Sequence, residues 1–311
     1  MDQKGTGFTA SPVWRILRWM PVTLILVAVA CLLVMVLLGG MTKIAGWYLL
    51  QLIPPVLGLL TLVAVVLYAI VRRRLSRAAV ITGLVSLLAM LPALLLVFPV
   101  VAYPASIAST TPSATVRLPA DVPLKVAWGG DSLAVNAHVV VPDQRWAYDF
   151  VVEPYLTGSA ELTDYGCYGV PVVAPAAGYV VEAHDGEPDM TPGVSSNNTE
   201  APEGNFVAIK LETGTYLVIA HLKPGSVLVQ TGDQVEEGQA IGQCGNSGNT
   251  SEPHIHIHHQ RQDPALYPIN FAEGLPLYFR DHDGPPMPKG GVRMEDGKPV
   301  ATGATVRHVG K

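Results

Sequence analysis

Three apolar stretches without a single charge, residues 20–39, 47–71 and 78–103, set the first limit on what this chain of 311 residues can fold into. Each reaches the roughly 20 residues that carry a helix across ~30 Å of hydrocarbon. A helix buried in a soluble core would be shorter and would keep a polar stripe. A cleavable leader is excluded, because two further spans follow and the first is too long for an h-region. The flanks give an orientation. Arg15 and Arg18 precede the first span, Arg72, Arg73, Arg74 and Arg77 fill the connection between the second and third, and the connection between the first and second holds only Lys43. Basic groups stay in the cytoplasm, so the N-terminus is expected inside and everything after Tyr103 outside. A transporter would need ionisable groups or unwound helix at mid-membrane. Pro54-Pro55 reads as a packing kink and Cys31 as a small hydrophobe, so residues 1–103 are expected to be a three-helix anchor.

The remainder belongs to a different physical regime. Residues 1–103 hold eight basic side chains and one acid, whereas the later part is strongly acidic and contains all nine histidines. Such a surface repels phosphate, which excludes nucleic acid as a partner. Residues 104–125 are rich in Ser, Thr, Pro and Ala, like a linker off the membrane. From 126 to about 272, short apolar runs are cut by Gly, Pro and Asn, and no long 3.6-residue period interrupts them. This texture predicts a mainly β domain, an antiparallel sheet of barrel or sandwich type, large enough for its own core. A polar loop at 185–204 is expected to be mobile, and 273–311 is left as a polar tail. Cys167 and Cys244 are in the compartment where disulfides persist. A bridge and two separate buried thiols both remain open.

The run Pro253-His254-Ile255-His256-Ile257-His258-His259 carries the chemistry. In a strand, His254, His256 and His258 share one face, about 7 Å apart in sequence-neighbour steps, and Ile255 and Ile257 enter the core. Imidazole suits zinc, and a hydrolytic zinc commonly has three protein ligands plus water. Asp149, set among aromatic and apolar residues, needs a cation if it is buried. His138 and His221 are further candidates, each with an ordinary surface or hydrogen-bonded alternative.

The segment Gly242-Gln-Cys-Gly-Asn-Ser-Gly-Asn-Thr-Ser-Glu-Pro-His254-Ile-His256 resembles the HxH motif of the lysostaphin-like zinc metallopeptidases, which are cell-wall endopeptidases. Gly169-Val-Pro-Val-Val-Ala-Pro-Ala-Ala-Gly178, Gly204-Asn205, Ala220-His221-Leu222 and Gly232-Asp-Gln-Val-Glu-Glu-Gly238 are similar to further pieces of that family's pattern, in the same order. The resemblance covers roughly residues 136–272. It implies a β domain of lysostaphin type holding one zinc ion, with Asp149 and His256 as metal ligands and His254 and His221 as acid/base and transition-state partners. It implies peptidoglycan peptides as the substrate, and a possible regulatory protein is left unnamed. One departure matters. The family's HxxxD pattern would place a ligand at 145, where this chain has Arg145, which stays protonated and cannot bind zinc. His138 is the expected replacement, brought back by a turn around Pro142-Asp143, with His184 as the fallback. His258 is expected in a supporting position at best.

The expected activity is zinc-assisted amide hydrolysis by a multi-pass membrane protein whose β domain is extracytoplasmic. Neutral imidazoles are needed to hold the metal, so activity should fall below about pH 6. The missing HxxxD keeps one alternative in play, a non-catalytic domain that serves as scaffold or activator of other wall hydrolases. A biotinyl- or lipoyl-type carrier is disfavoured because no Met-Lys pair lies between its half-motifs.

Overall fold

The structure, a computed structural model, describes residues 12–194, 196 and 198–310. It divides into two units, Met1–Val101 and Ala102–Lys311. In the first unit the helices are α1 (Pro12–Leu17), α2 (Met20–Leu37), α3 (Gly40–Arg72), α4 (Arg77–Met90) and, after a 3-10 turn, α5 (Leu94–Val97). Three lengths, Pro12–Leu37, Gly40–Arg72 and Arg77–Val97, are long and apolar enough to cross a membrane. Ser76 caps α4 by accepting the Ala79 N–H at 3.1 Å, satisfying one of the free donors of the first turn. Gly58 lets α3 and α4 approach closely, since a Cβ there would run into the Ser86 carbonyl. The third stretch, expected to run to Tyr103, ends as helix at Val97. Phe98 turns out of helical geometry (φ −122°, ψ 87°), the direction in which a following proline, here Pro99, biases the residue before it.

The second unit is mainly antiparallel β-sheet, as the turn spacing predicted. Its strands are β1 (Ala114–Val116), β2 (Leu124–Trp128), β3 (Tyr148–Val151), β4 (Pro171–Val173), β5 (Gly178–His184), β6 (Asn205–Lys210), β7 (Tyr216–Leu222), β8 (Gln234–Val235), β9 (Ala240–Gln243), β10 (Ile255–Gln260), β11 (Leu277–Phe279), β12 (Val292–Glu295), β13 (Lys298–Ala301) and β14 (Thr305–Val306). Eight of them form one sheet in the order β14-β2-β3-β10-β7-β6-β5-β8, and the pairs β1-β11, β4-β9 and β12-β13 are separate. The inner residues of β2, β3, β7 and β10, among them Val126, Phe150, Ile219, Ile255 and Ile257, are fully buried together. This core fixes the register, because a slip of one residue would turn Ile255 and Ile257 outward.

Two segments are more ordered than their composition foretold. The stretch 104–125 contains β1 and the start of β2, and β1 pairs in parallel with β11 from the expected tail. That tail also supplies β14, which pairs with β2, and the β12-β13 hairpin. Apolar residues at alternating positions, such as Val116, Leu277 and Phe279, are buried and supply the reason. The 185–204 loop is bonded to the turn before β10. The Asn246 N–H donates to Asp189 Oδ1 at 2.7 Å and Ser196 Oγ donates to the Gly248 carbonyl at 2.7 Å; residues 195 and 197 lie outside the described residues. Cys167 and Cys244 form a disulfide with their Cα atoms 5.8 Å apart.

Candidate active site

The centre of the site follows from strand register. β10 lies between β3 and β7, and His256 stands directly opposite Asp149 on one side and Ala220 on the other. Cross-strand partners project to the same face, so His256 Nδ1 lies 2.8 Å from Asp149 Oδ1. Ile255 and Ile257 go to the core, and His254, His256 and His258 share the opposite face as alternation requires. His254 Nε2 lies 3.6 Å from the same Asp149 oxygen.

His138 arrives from a 3-10 turn, Ala137–Val140, capped by Asn136, whose side chain accepts the His138 N–H. The chain doubles back through Pro142-Asp143, and His138 Nε2 comes to rest 2.8 Å from Asp149 Oδ2. Arg145 is absent from this group. It is buried, donating to the Tyr103, Ala105 and Asp131 carbonyls and pairing with the Asp131 carboxylate at 2.9 Å. His184 is also elsewhere, 3.5 Å from Glu187 and stacked on Phe206.

His221 comes from β7 in an unusual backbone state, with φ 63°. A non-glycine residue in the left-handed region stores strain and is common at functional sites. The ladder between β6 and β7 shifts register next to it, which turns the imidazole onto the cluster face, 4.6 Å from the His254 ring. Its Nδ1 donates to the Ser247 carbonyl at 2.8 Å. Ser247 in turn sits where a Cβ on Gly204 would overlap it, and Gly204 has φ 62°. Glycine at 204 is therefore what admits the turn that holds His221.

Two groupings have donor atoms close enough to hold one ion, His138-Asp149-His256 and His221-His254-His256, each with all three atoms within 4.8 Å. The first contains the carboxylate. Burial alone would raise the Asp149 carboxyl, but the fields of His138 and His254, with the close approach of His138 and His256 to its oxygens, reverse this and hold it well below the usual range. Burial, then the fields of its histidine neighbours, pushes His221 well below the ordinary imidazole value, and burial also lowers His256. Burial would lower His138 too, but Asp149 outweighs it and the net shift is upward. A carboxylate flanked by imidazoles is the donor set that zinc takes. It has no lysine or arginine hydrogen-bonded to it among the described residues.

The cluster is open from two directions. A cavity of about 680 Å³ is lined by Asp149 and His254, and its walls include Trp128, Leu156 and Tyr165 as well as Val292, Lys298 and Pro299 of the β12-β13 hairpin. A second, of about 380 Å³, touches His138, His221, His256 and His258. Sequence reasoning did not find Glu252, which lines the larger cavity with Oε2 accepting the Leu156 N–H at 2.7 Å. Only its place two residues before His254 pointed there. The hairpin wall was equally unseen, since nothing in its polar sequence marks a cleft.

Residues 163–268 match the model of peptidase family M23. That span contains His221, His254 and His256 and begins after Asp149. Among solved structures, lysostaphin in solution aligns at 25% identity over 38% of this chain and 36% of its own, with a TM-score of 0.26. The lysostaphin catalytic domain from Staphylococcus simulans aligns at 23% over 45% of this chain and 86% of its own, TM-score 0.27. The catalytic domain of the prophage-encoded protein EnpA from Enterococcus faecalis aligns at 15% over 52% and 93%, TM-score 0.34. The chain thus spans about a third of the length of full lysostaphin.

Proposed function

From the match of residues 163–268 to the model of peptidase family M23, we propose that the chain is a zinc-dependent endopeptidase, anchored in a membrane by its apolar helices, that hydrolyses amide bonds in peptidoglycan peptides. The observation that carries this reading is the Asp149 carboxylate, approached at 2.8 Å by His138 on one oxygen and by His256 on the other. His138, Asp149 and His256 would hold the ion, and the carboxylate offsets part of its charge. Zinc held there would lower the pKa of a bound water to about 7 and polarise the scissile carbonyl.

The other two histidines handle protons. The His254 Nδ1 donates to the Glu252 carbonyl at 2.8 Å, an oxygen that can only accept. Its Nε2 lone pair therefore faces the cluster, ready to take the proton of the attacking water and return it to the leaving amine. His221 is oriented likewise by the Ser247 carbonyl, so its Nε2 also rests unprotonated. It faces the cluster as a second hydrogen-bond acceptor, placed to orient the attacking water or the amide N–H during hydrolysis. The larger cavity, reaching Asp149 and His254, gives an extended peptide a path across the site.

Membrane attachment draws support from the three candidate spans, and an orientation with the β domain on the peptidoglycan side draws support from their basic flanks. The scaffold alternative drew its support from the missing HxxxD histidine, and the position of His138 beside Asp149 counts against it. The test uses the full chain in detergent. Metal analysis should find one zinc per chain, and incubation with purified muropeptides should give fragments whose masses fit peptide-bond hydrolysis. His256→Ala should lose both. Intact muropeptides with stoichiometric zinc present would favour the scaffold.

A further inference from the structure

A line of hydrogen bonds leads away from the cluster along the face of β10. His256 Nε2 lies 3.0 Å from His258 Nδ1, His258 Nε2 lies 3.0 Å from Gln260 Oε1, and Gln260 Nε2 lies 2.7 Å from the Gln262 carbonyl. The far end decides the direction of every link. A backbone carbonyl only accepts, so the Gln260 amide nitrogen donates and its Oε1 is left to accept. His258 Nε2 must then carry hydrogen. With that hydrogen given to Gln260, His258 turns Nδ1 to His256 as an acceptor, the direction in which one donor per ring carries the line unbroken to the Gln262 carbonyl. His256 therefore carries its hydrogen on Nε2, and its lone pair is on Nδ1, the atom that faces Asp149 at 2.8 Å.

We propose that His258 and Gln260 are positioning residues that lock His256 in the Nε2–H form, presenting its Nδ1 to the metal beside Asp149. This rests on the zinc-peptidase reading above. The arrangement leaves two acceptors, Nδ1 and a carboxylate oxygen, facing each other, which is stable only with positive charge shared between them. The other ring nitrogen of a metal-binding histidine governs orientation and basicity, and losing its partner typically costs 10–100-fold in affinity. A third histidine two residues after His256 thus has a purpose that spacing alone did not supply. His259, on the opposite face, has none of this role, since it bonds Thr215 and the Pro276 carbonyl.

The test compares two variants of the full chain. The Asn side-chain oxygen occupies the place of His Nδ1, so His258→Asn keeps an acceptor, whereas His258→Leu removes it. Zinc titration should show the Leu variant weakened 10–100-fold and the Asn variant within about threefold of the parent. Nitrogen NMR of the metal-free chain, with labelled histidine, should report Nε2–H for His256 in the parent and in the Asn variant, and a mixture in the Leu variant. Gln260→Leu breaks the next link and replaces His258→Leu should that variant not fold. Parental zinc affinity in the Leu variant, an equal loss in both variants, or an Nδ1–H signal for His256 in the parent would each overturn the proposal. If the parent takes up no zinc, the peptidase reading fails, while the NMR signal still decides the direction of the line.

Discussion

At the scale of single residues, positions 143, 145 and 149 do three different things within one short stretch of chain. Arg145 is a structural residue, a buried guanidinium holding carbonyls at 103, 105 and 131. Arg145→Ala should lower unfolding stability by about 2–4 kcal/mol, as expected when hydrogen bonds to a charged group are lost in the interior, and should keep its zinc. Asp149→Asn should do the reverse, with little change in stability and no bound metal; calorimetry and metal analysis of both variants check the contrast. Asp143 is buried with Oδ1 unpartnered among the described residues, and desolvation raises its pKa from 3.8 to about 7. The folded chain then binds more protons than the unfolded one between those values, so this carboxyl favours folding below pH 3.8 and weighs against it as pH rises towards and past 7. Asp143→Asn should remove that slope. Melting temperatures of variant and parent should converge near pH 4 and diverge in the variant's favour by pH 8, and parallel profiles would dismiss the effect.

At the scale of elements, the readable parts are those in which a local pattern fixes a side chain's direction. Alternation along β10 placed Ile255 and Ile257 inside and three histidines outside before any partner was known. Pairing of His256 with Asp149 is a matter of register between strands 107 residues apart, and only the resemblance to a family brought them together beforehand. His221 was legible as a candidate, but its φ of 63° and the register shift that aims it leave no local trace in Ala220-His221-Leu222. The segments 104–125 and 273–310 looked like linker and tail because their strands are two to five residues long, below what an alternating pattern can declare. The disulfide was an open question for a related reason, since proximity of Cys167 and Cys244 depends on how β4 meets β9. It closes a 77-residue separation, and the Gly245 N–H next to it donates to the His221 carbonyl. Paired substitution of Cys167 and Cys244 by Ser should therefore cost ~2–4 kcal/mol. Denaturant titration would measure it, and an unchanged midpoint would show that the loop is held without the bridge.

At the scale of the whole molecule, the acidic β domain and the basic, apolar helical segment impose separate constraints on one chain. Within the β domain, the last strand completes the sheet edge at β2, and the β12-β13 hairpin walls the cavity beside Asp149 and His254. The apolar helices and their flanks bear on orientation. Arginines at 72, 73, 74 and 77 stand between the second and third candidate spans, and moving several of them through hydrocarbon costs ~3 kcal/mol each on insertion scales. That sum far exceeds any bias from Lys43 in the opposite connection. The connection at 73–76 is accordingly expected on the cytoplasmic side, with the histidine cluster across the membrane from it. Cysteine substitutions at two exposed positions, Leu75 in that connection and Thr213 in the β6-β7 turn, provide the measurement in intact cells. A membrane-impermeant maleimide should label Thr213→Cys directly and Leu75→Cys only after permeabilisation. The opposite labelling would put the hydrolytic groups in the cytoplasm, out of reach of peptidoglycan, and the substrate assignment would have to be abandoned even if zinc binding and amide hydrolysis were both confirmed.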